Sequence, residues 1–179
     1  MRAKRLALAL CAVPVSVAAA EPVLSLAGTL PASCDDDATL AAIDGIGAEA
    51  TSLTLFWDEL ERDGRHAADP DRPAIAEAVY PARGTAIHLT FLVIDTVADR
   101  RPADQKGLPW DNPRVVARFE AFLGELLDRM PGTRLLGVAL GNEVDGVLTP
   151  EAYPAYARSF DAARAAADGP GRAGGVSAT

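Results

Sequence analysis

Residues 86–94, Ala-Ile-His-Leu-Thr-Phe-Leu-Val-Ile, constrain the fold more than any other stretch of this chain. A near-continuous apolar run rich in β-branched and aromatic residues, closed by Asp95, reads as a strand. It is expected to be covered on both faces, as strands of parallel sheets are. The next element is a helix. Asn112 caps it, Pro113 takes the first turn, and Val116, Phe119, Leu123, Leu126 and Leu127 recur at helical spacing until Pro131-Gly132. A second apolar run, Arg134–Leu140, follows directly. Strand, long helix, strand is a crossover unit, and it requires parallel pairing.

The same alternation runs through the rest of the chain. Val23–Ala27 is a short candidate strand, and Asp35-Asp36-Asp37 precedes a short helix over Ala38–Ile46, where acids favour the helix N-terminus. Ala50–Trp57 reads as a strand. A polar loop with Gly64, Pro70 and Pro73 leads to a helix near 74–82, broken at Gly84. Asp95–Asp111 is a long loop, and Gly141–Gly146 a shorter one. Thr149-Pro150-Glu151 starts a helix reaching about Ala167, and residues 174–179 look like the start of one more strand. This is an α/β pattern with right-handed crossovers. By count it is a (β/α)8 TIM-barrel-like fold truncated to about four strand-helix units plus the start of a fifth strand. A chain of 179 residues is short for a full barrel of about 250.

The first twenty residues read as a secretory signal rather than structure: basic Arg2, Lys4 and Arg5, an apolar Leu6–Val17, and Ala18-Ala19-Ala20 before Glu21. The apolar stretch is short of the ~20 residues of a membrane span. The expected product is one domain, 21–179, exported to the periplasm or medium. The formal charge of -8 becomes -8 - 3 = -11 once those three cations leave. An acidic exported domain disfavours nucleic acid and anionic membranes as partners. Cys34 alone survives cleavage, so no internal disulfide is expected. With only His66 and His88 besides, no metal site or cofactor is expected either.

Chemistry is expected where the strands end. Parallel strands place Asp58, Glu59 and Glu61, Asp95, and Glu143 and Asp145 on one face, the face where parallel barrels carry their sites. Asp95 also suits a turn cap, Glu61 a solvated loop charge, and Asp145-Gly146 an ordinary turn. Glu143 differs, because the apolar Leu135–Leu140 run delivers it to that face with Asn142 beside it. Partial burial against apolar walls would raise its carboxyl pKa, as a general acid requires. Trp57 and Trp110 fall at or after strand ends, where an indole can stack on a sugar ring. For Trp110 packing is the expected role, and Tyr153 and Tyr156 are expected to pack as helix residues. His88, inside a strand, is expected to be a hydrogen-bonded interior residue.

Gly141-Asn142-Glu143 after a fourth strand resembles the Asn-Glu signature of clan A glycoside hydrolases. Residues 56–64, Phe-Trp-Asp-Glu-Leu-Glu-Arg-Asp-Gly, are similar to the W-x-x-L-E-P-x-x-G stretch after the second strand in several of its families, with Arg62 in place of Pro. The resemblance spans roughly Ile43–Thr179 in element order. It implies a (β/α)8 fold, Glu143 as acid/base, Asn142 on the sugar 2-hydroxyl, and Trp57, Asp58 and Asp95 lining a carbohydrate site. It also implies a nucleophilic carboxylate on a seventh strand, ~5 Å from the acid/base in retaining enzymes, for which this sequence has no counterpart. Hydrolysis of β-linked oligo- or polysaccharide is therefore weighed against an inactive truncated barrel that binds sugar weakly or does nothing. An unrelated small α/β domain is a third reading. The open sheet edges of half a barrel favour self-association.

Overall fold

A computed structural model describes residues 22–27, 36–67 and 70–167. The expected signal segment, Cys34 and the strand expected over 174–179 lie outside those residues. Four parallel strands form the sheet in the order β1, β2, β5, β7: Ser25–Leu26, Ala50–Phe56, Ala86–Asp95 and Leu135–Asn142. The helices between and after them are α1 (Asp36–Gly45), α3 (Arg72–Arg83), α4 (Pro113–Asp128) and α5 (Tyr153–Ala167). The alternation read from the sequence is therefore present, and among the described residues the sheet is open at β1 and β7.

Capping chemistry sets the helix bounds. The Asp71 carboxylate accepts from the Ala74 amide at 3.2 Å to start α3, which ends at Gly84 in the left-handed region, φ 69°. Asn112 accepts from the Arg114 amide at 3.0 Å to start α4. This helix buries Val115, Phe119, Phe122, Leu123, Leu126 and Leu127 against the sheet. At roughly 1.5–3 kcal/mol gross per fully buried side chain, that stripe is a large part of what holds the layers together. Phe119 stacks on Phe91 of β5, ring centroids 5.7 Å apart.

Two parts of the loop regions are more ordered than expected. The polar loop after β2 is a helical turn, α2 (Trp57–Leu60), followed by a tight hairpin of β3 (Glu61–Arg62) and β4 (Arg65–His66). The long loop after β5 opens with β6 (Ala98–Asp99), antiparallel to the end of β5. Arg100 extends this piece: its amide donates to Val93 at 3.0 Å and its carbonyl accepts from Asp58 at 2.9 Å. The segment thus bridges the ends of β2 and β5.

The expectation of cover on both sheet faces holds at Ala50, Ala86, Leu92 and Gly137 but not in the middle of the second face. Leu53, Leu55, Ile87, Leu89, Phe91, Val138 and Leu140 belong to the core under the helices. The alternate positions in register, Ser52 with His88 and Gly137, then Thr54 with Thr90 and Ala139, lie on the other face. There Thr54 is exposed and Ser52, His88, Thr90 and Ala139 are half-buried. His88 is therefore not a fully buried interior residue.

Candidate functional site

The C-terminal ends of β2, β5 and β7 lie on one rim, as parallel pairing demands, and the polar residues there form an arc. At one end, Asp58 follows β2 on the first turn of α2. Its carboxylate lies 3.1 Å from Arg100 and 3.7 Å from Lys106, and Arg100 also binds Glu59 at 2.7 Å. The angle at Asp58 Oδ1 does not make a hydrogen bond, which leaves that buried oxygen without one. Burial pushes the Asp58 carboxyl above the ordinary aspartate range, against the opposing pull of Arg100 and then Lys106. The Arg100 guanidinium also covers the Phe56 ring, 4.3 Å from its centroid.

The other end of the arc carries Asp95, Asn142 and Glu143. Asp95 and Asn142 are register partners across the last pair of β5 and β7, after an irregularity in the ladder. The chain then turns sharply on both strands. Thr96 adopts φ 55° and Glu143 φ 47°, left-handed conformations that are uncommon for side-chain-bearing residues. The Thr96 amide donates to the Asn142 carbonyl at 3.0 Å. Behind Glu143 lies a single 3-10 turn, Val144–Gly146. Gly146 is required there, because a Cβ at that position would stand 2.1 Å from the Thr96 carbonyl oxygen.

Gly141 sets the approach to Asn142-Glu143. Its φ is 88°, and a Cβ would meet the Tyr156 hydroxyl and Val144 Cγ1, each at 2.8 Å. The Tyr156 hydroxyl donates to the Leu140 carbonyl at 2.8 Å, fixing the last turn of strand before the bend. Burial raises the Tyr156 hydroxyl well above the usual tyrosine range.

Three expectations about the site change. Asn142 and Glu143 are exposed on the rim, so the apolar walls expected around the Glu143 carboxyl are not there among the described residues. Trp57 does not line a cleft: it is 1 % exposed, packs on Phe119 at 4.9 Å, and its indole N–H donates to Glu61. Glu61 is not a solvated loop charge either. At 2 % exposure it accepts from Trp57, from the Gly64 amide at 2.9 Å and from Arg118 at 2.5 Å. A small cavity of about 10 Å³ between Trp57, Trp110, Phe119 and Tyr156 lies on the helix side, with room for about one water and none for a sugar. Trp110 packs as expected, edge-on to Tyr156 at 5.4 Å and under the Arg101 guanidinium at 3.8 Å. Tyr156 packs too, whereas Tyr153 is exposed.

Sequence reasoning missed Arg100 and Lys106, whose partners become neighbours only through β6. It also missed the role of Glu61. The signal for that one was present, since Trp57 and Glu61 are one helical turn apart and Asp63-Gly64 is a tight-turn pair.

No family model and no curated protein matches this sequence. Solved structures do match its fold. An exo-beta-1,4-mannosidase from Opitutaceae bacterium strain TAV5 superposes at TM-score 0.64 and 17% identity, over 82% of this chain and 29% of that one. The fold is therefore part of a (β/α) barrel of the kind these structures contain. A GH5_18 protein from Bifidobacterium longum subsp. longum, solved in complex with Manb1-4GlcNAc, gives TM-score 0.59 at 17% identity over 84% of this chain and 41% of that one. Fungal beta-1,4-galactanases give 0.58 at 18% identity, over 76% and 42%. This chain thus spans well under half the length of the barrels it matches, and its four parallel strands form an open segment of such a barrel.

Proposed function

We propose that this chain belongs to an exported glycoside hydrolase-like protein acting on O-glycosidic bonds of β-linked oligo- or polysaccharides. The observation that carries this is the end of β7: an apolar strand bent at Gly141 presents Asn142 and Glu143, exposed, on the same rim as Asp95 and Asp58. Glu143 is the acid that protonates the glycosidic oxygen and then activates water. Asn142 orients the sugar, with Asp95 beside it on β5. Asp58 lines the far end of the arc, held by Arg100. A retaining reaction also requires a second carboxylate ~5 Å from Glu143.

The test is turnover of aryl β-glycosides by the chain and by Glu143→Gln. Loss of nearly all turnover in the variant supports the role, and unchanged turnover refutes it. A second reading is favoured by one observation: Glu143 is exposed, without the apolar walls that suit a general acid at neutral pH. On that reading the rim binds β-linked sugar without cleaving it. Saturable binding of an oligosaccharide without release of reducing ends separates the two. Export through the first twenty residues is tested by sequencing the N-terminus of the secreted product, expected to begin at Glu21.

A further inference from the structure

The β3–β4 hairpin carries a charge arrangement that the rim does not use. Its two-residue turn, Asp63-Gly64, has positive φ at both positions, 52° and 77°, as a tight type I′ hairpin requires. Side chains alternate across such a ribbon. Glu61 and His66 are the inward pair. Glu61 is clamped by Trp57, the Gly64 amide and Arg118. His66 Nε2 lies 3.2 Å from the Asp71 carboxylate, and its ring stacks on Phe122 of α4, centroids 6.3 Å apart. Arg62 and Arg65 are the outward pair, and both are exposed.

Register partners on one face stand with their Cβ atoms about 4.5–5.5 Å apart, and like charges there destabilise the ribbon. Arg83, Arg100, Arg118 and Arg158 each hold a carboxylate. Among the described residues no carboxylate does the same for Arg62 or Arg65, not even Asp63 on the turn between them. The pair stays bare in a chain with 25 acidic residues against 17 basic ones. In the stretch that residues 56–64 resemble, the position of Arg62 is a proline, so the charge opposite Arg65 is a departure of this chain. The hairpin is held by α2, α4 and the start of α3, away from the outer strands β1 and β7.

We propose that Arg62 and Arg65 form a docking site for the carboxylates of an acidic polysaccharide. The planar guanidinium fork matches a carboxylate bidentately. Two forks on a ribbon pinned at both strands lose little freedom on binding. Charge density selects the polymer. A chain at -8 is repelled by double-stranded DNA, with a charge about every 1.7 Å, and by an anionic bilayer. A polyuronate carries a single carboxylate on each sugar, and two arginines balance those that lie against them. The choice of a polysaccharide rests on the function proposed above; the bare pair and its affinity for carboxylate stand on the hairpin alone.

The test is calorimetric titration of the full chain with polygalacturonate in low-salt buffer. Saturable binding is expected, weakening as salt is raised. Arg62→Gln combined with Arg65→Gln is expected to weaken it about tenfold, as for two lost exposed ion contacts. The urea midpoint of that variant should be unchanged or raised, because the repulsion has gone. Arg114→Gln combined with Arg134→Gln removes the same charge from two exposed arginines at opposite ends of the sheet and should change binding less than about twofold. Double-stranded DNA and phosphatidylserine vesicles are expected not to bind. No binding of polygalacturonate by the wild-type chain overturns the proposal. So do equal losses in the two double variants, a lowered urea midpoint in the Arg62 and Arg65 variant, or tighter binding of DNA or vesicles than of polygalacturonate. Polygalacturonate binding that is lost with the arginine pair, in a chain that turns over no aryl β-glycoside, leaves the docking site standing and removes the hydrolase reading. Turnover without polygalacturonate binding does the reverse.

Discussion

Replacing Glu61 by Ala tests whether the Trp-containing motif after β2 is a structural clamp. The Glu61 side chain is fully buried, and its two oxygens serve three donors: Trp57 at one, the Gly64 amide and Arg118 at the other. Removing one partner of a buried ion pair costs about 3–5 kcal/mol. Arg118 keeps Asp104 as a second partner and is itself partly exposed, so the lower end applies, about 3 kcal/mol. With a urea slope of about 2 kcal/mol/M, the unfolding midpoint should fall by about 1.5 M. Trp57 reports from the clamp itself, so tryptophan fluorescence against urea is the assay. Glu61→Gln should lose about half as much, since its amide nitrogen must face a donor on one side or the other. If Glu61→Ala moves the midpoint by less than about 0.3 M, the carboxylate is not holding β2, the hairpin and α4 together.

Gly141→Ala should cost about 1–3 kcal/mol, combining the left-handed backbone with the contacts to Tyr156 and Val144. Amide chemical shifts of Asn142 and Glu143 should move with it, and unchanged shifts would show that the bend does not depend on the missing Cβ. Asp71 gives a pH signature. Burial works to raise its carboxyl, but the Ala74 amide and Arg129 together outweigh this and lower it. A depressed folded value means stability present above the unfolded aspartate range and lost as pH falls through the folded value. Asp71→Asn keeps the helix cap, so it should lose less than about 1 kcal/mol at neutral pH, the pair with Arg129 being about one-third exposed. Denaturation in strong acid should show no difference between the two proteins.

The strands and long helices were legible because their signals are local: the caps at Asn112 and the breaks at Gly84 and Pro131 act within a turn of themselves. The error over the covered sheet came from treating 86–94 as one run. Ile87, Leu89 and Phe91 alternate with His88 and Thr90, just as Leu53 and Leu55 alternate with Ser52 and Thr54. That period of two is the signature of a strand with one apolar face, and only 91–94 is continuous. Glu143 was placed correctly at a strand end, but its exposure depends on what faces it across the sheet, which spacing along one strand does not encode. Trp57 was misassigned for a similar reason. A Trp at a strand end can turn outward to a ligand or inward to a helix, and Phe119, sixty-two residues further on, decides which.

The contact between Thr96 and Gly146 makes the two neighbouring rim segments a single cassette. One amide-to-carbonyl bond and one glycine-sized gap, both made of main chain, fix their spacing. Lengthening either segment by one residue, or transplanting one without the other into a related scaffold, would pull the Asp95–Asn142 pairing out of step. Side chains at Val97 and Asp145, which are exposed and have no left-handed backbone, should by contrast be exchangeable without redesigning that backbone.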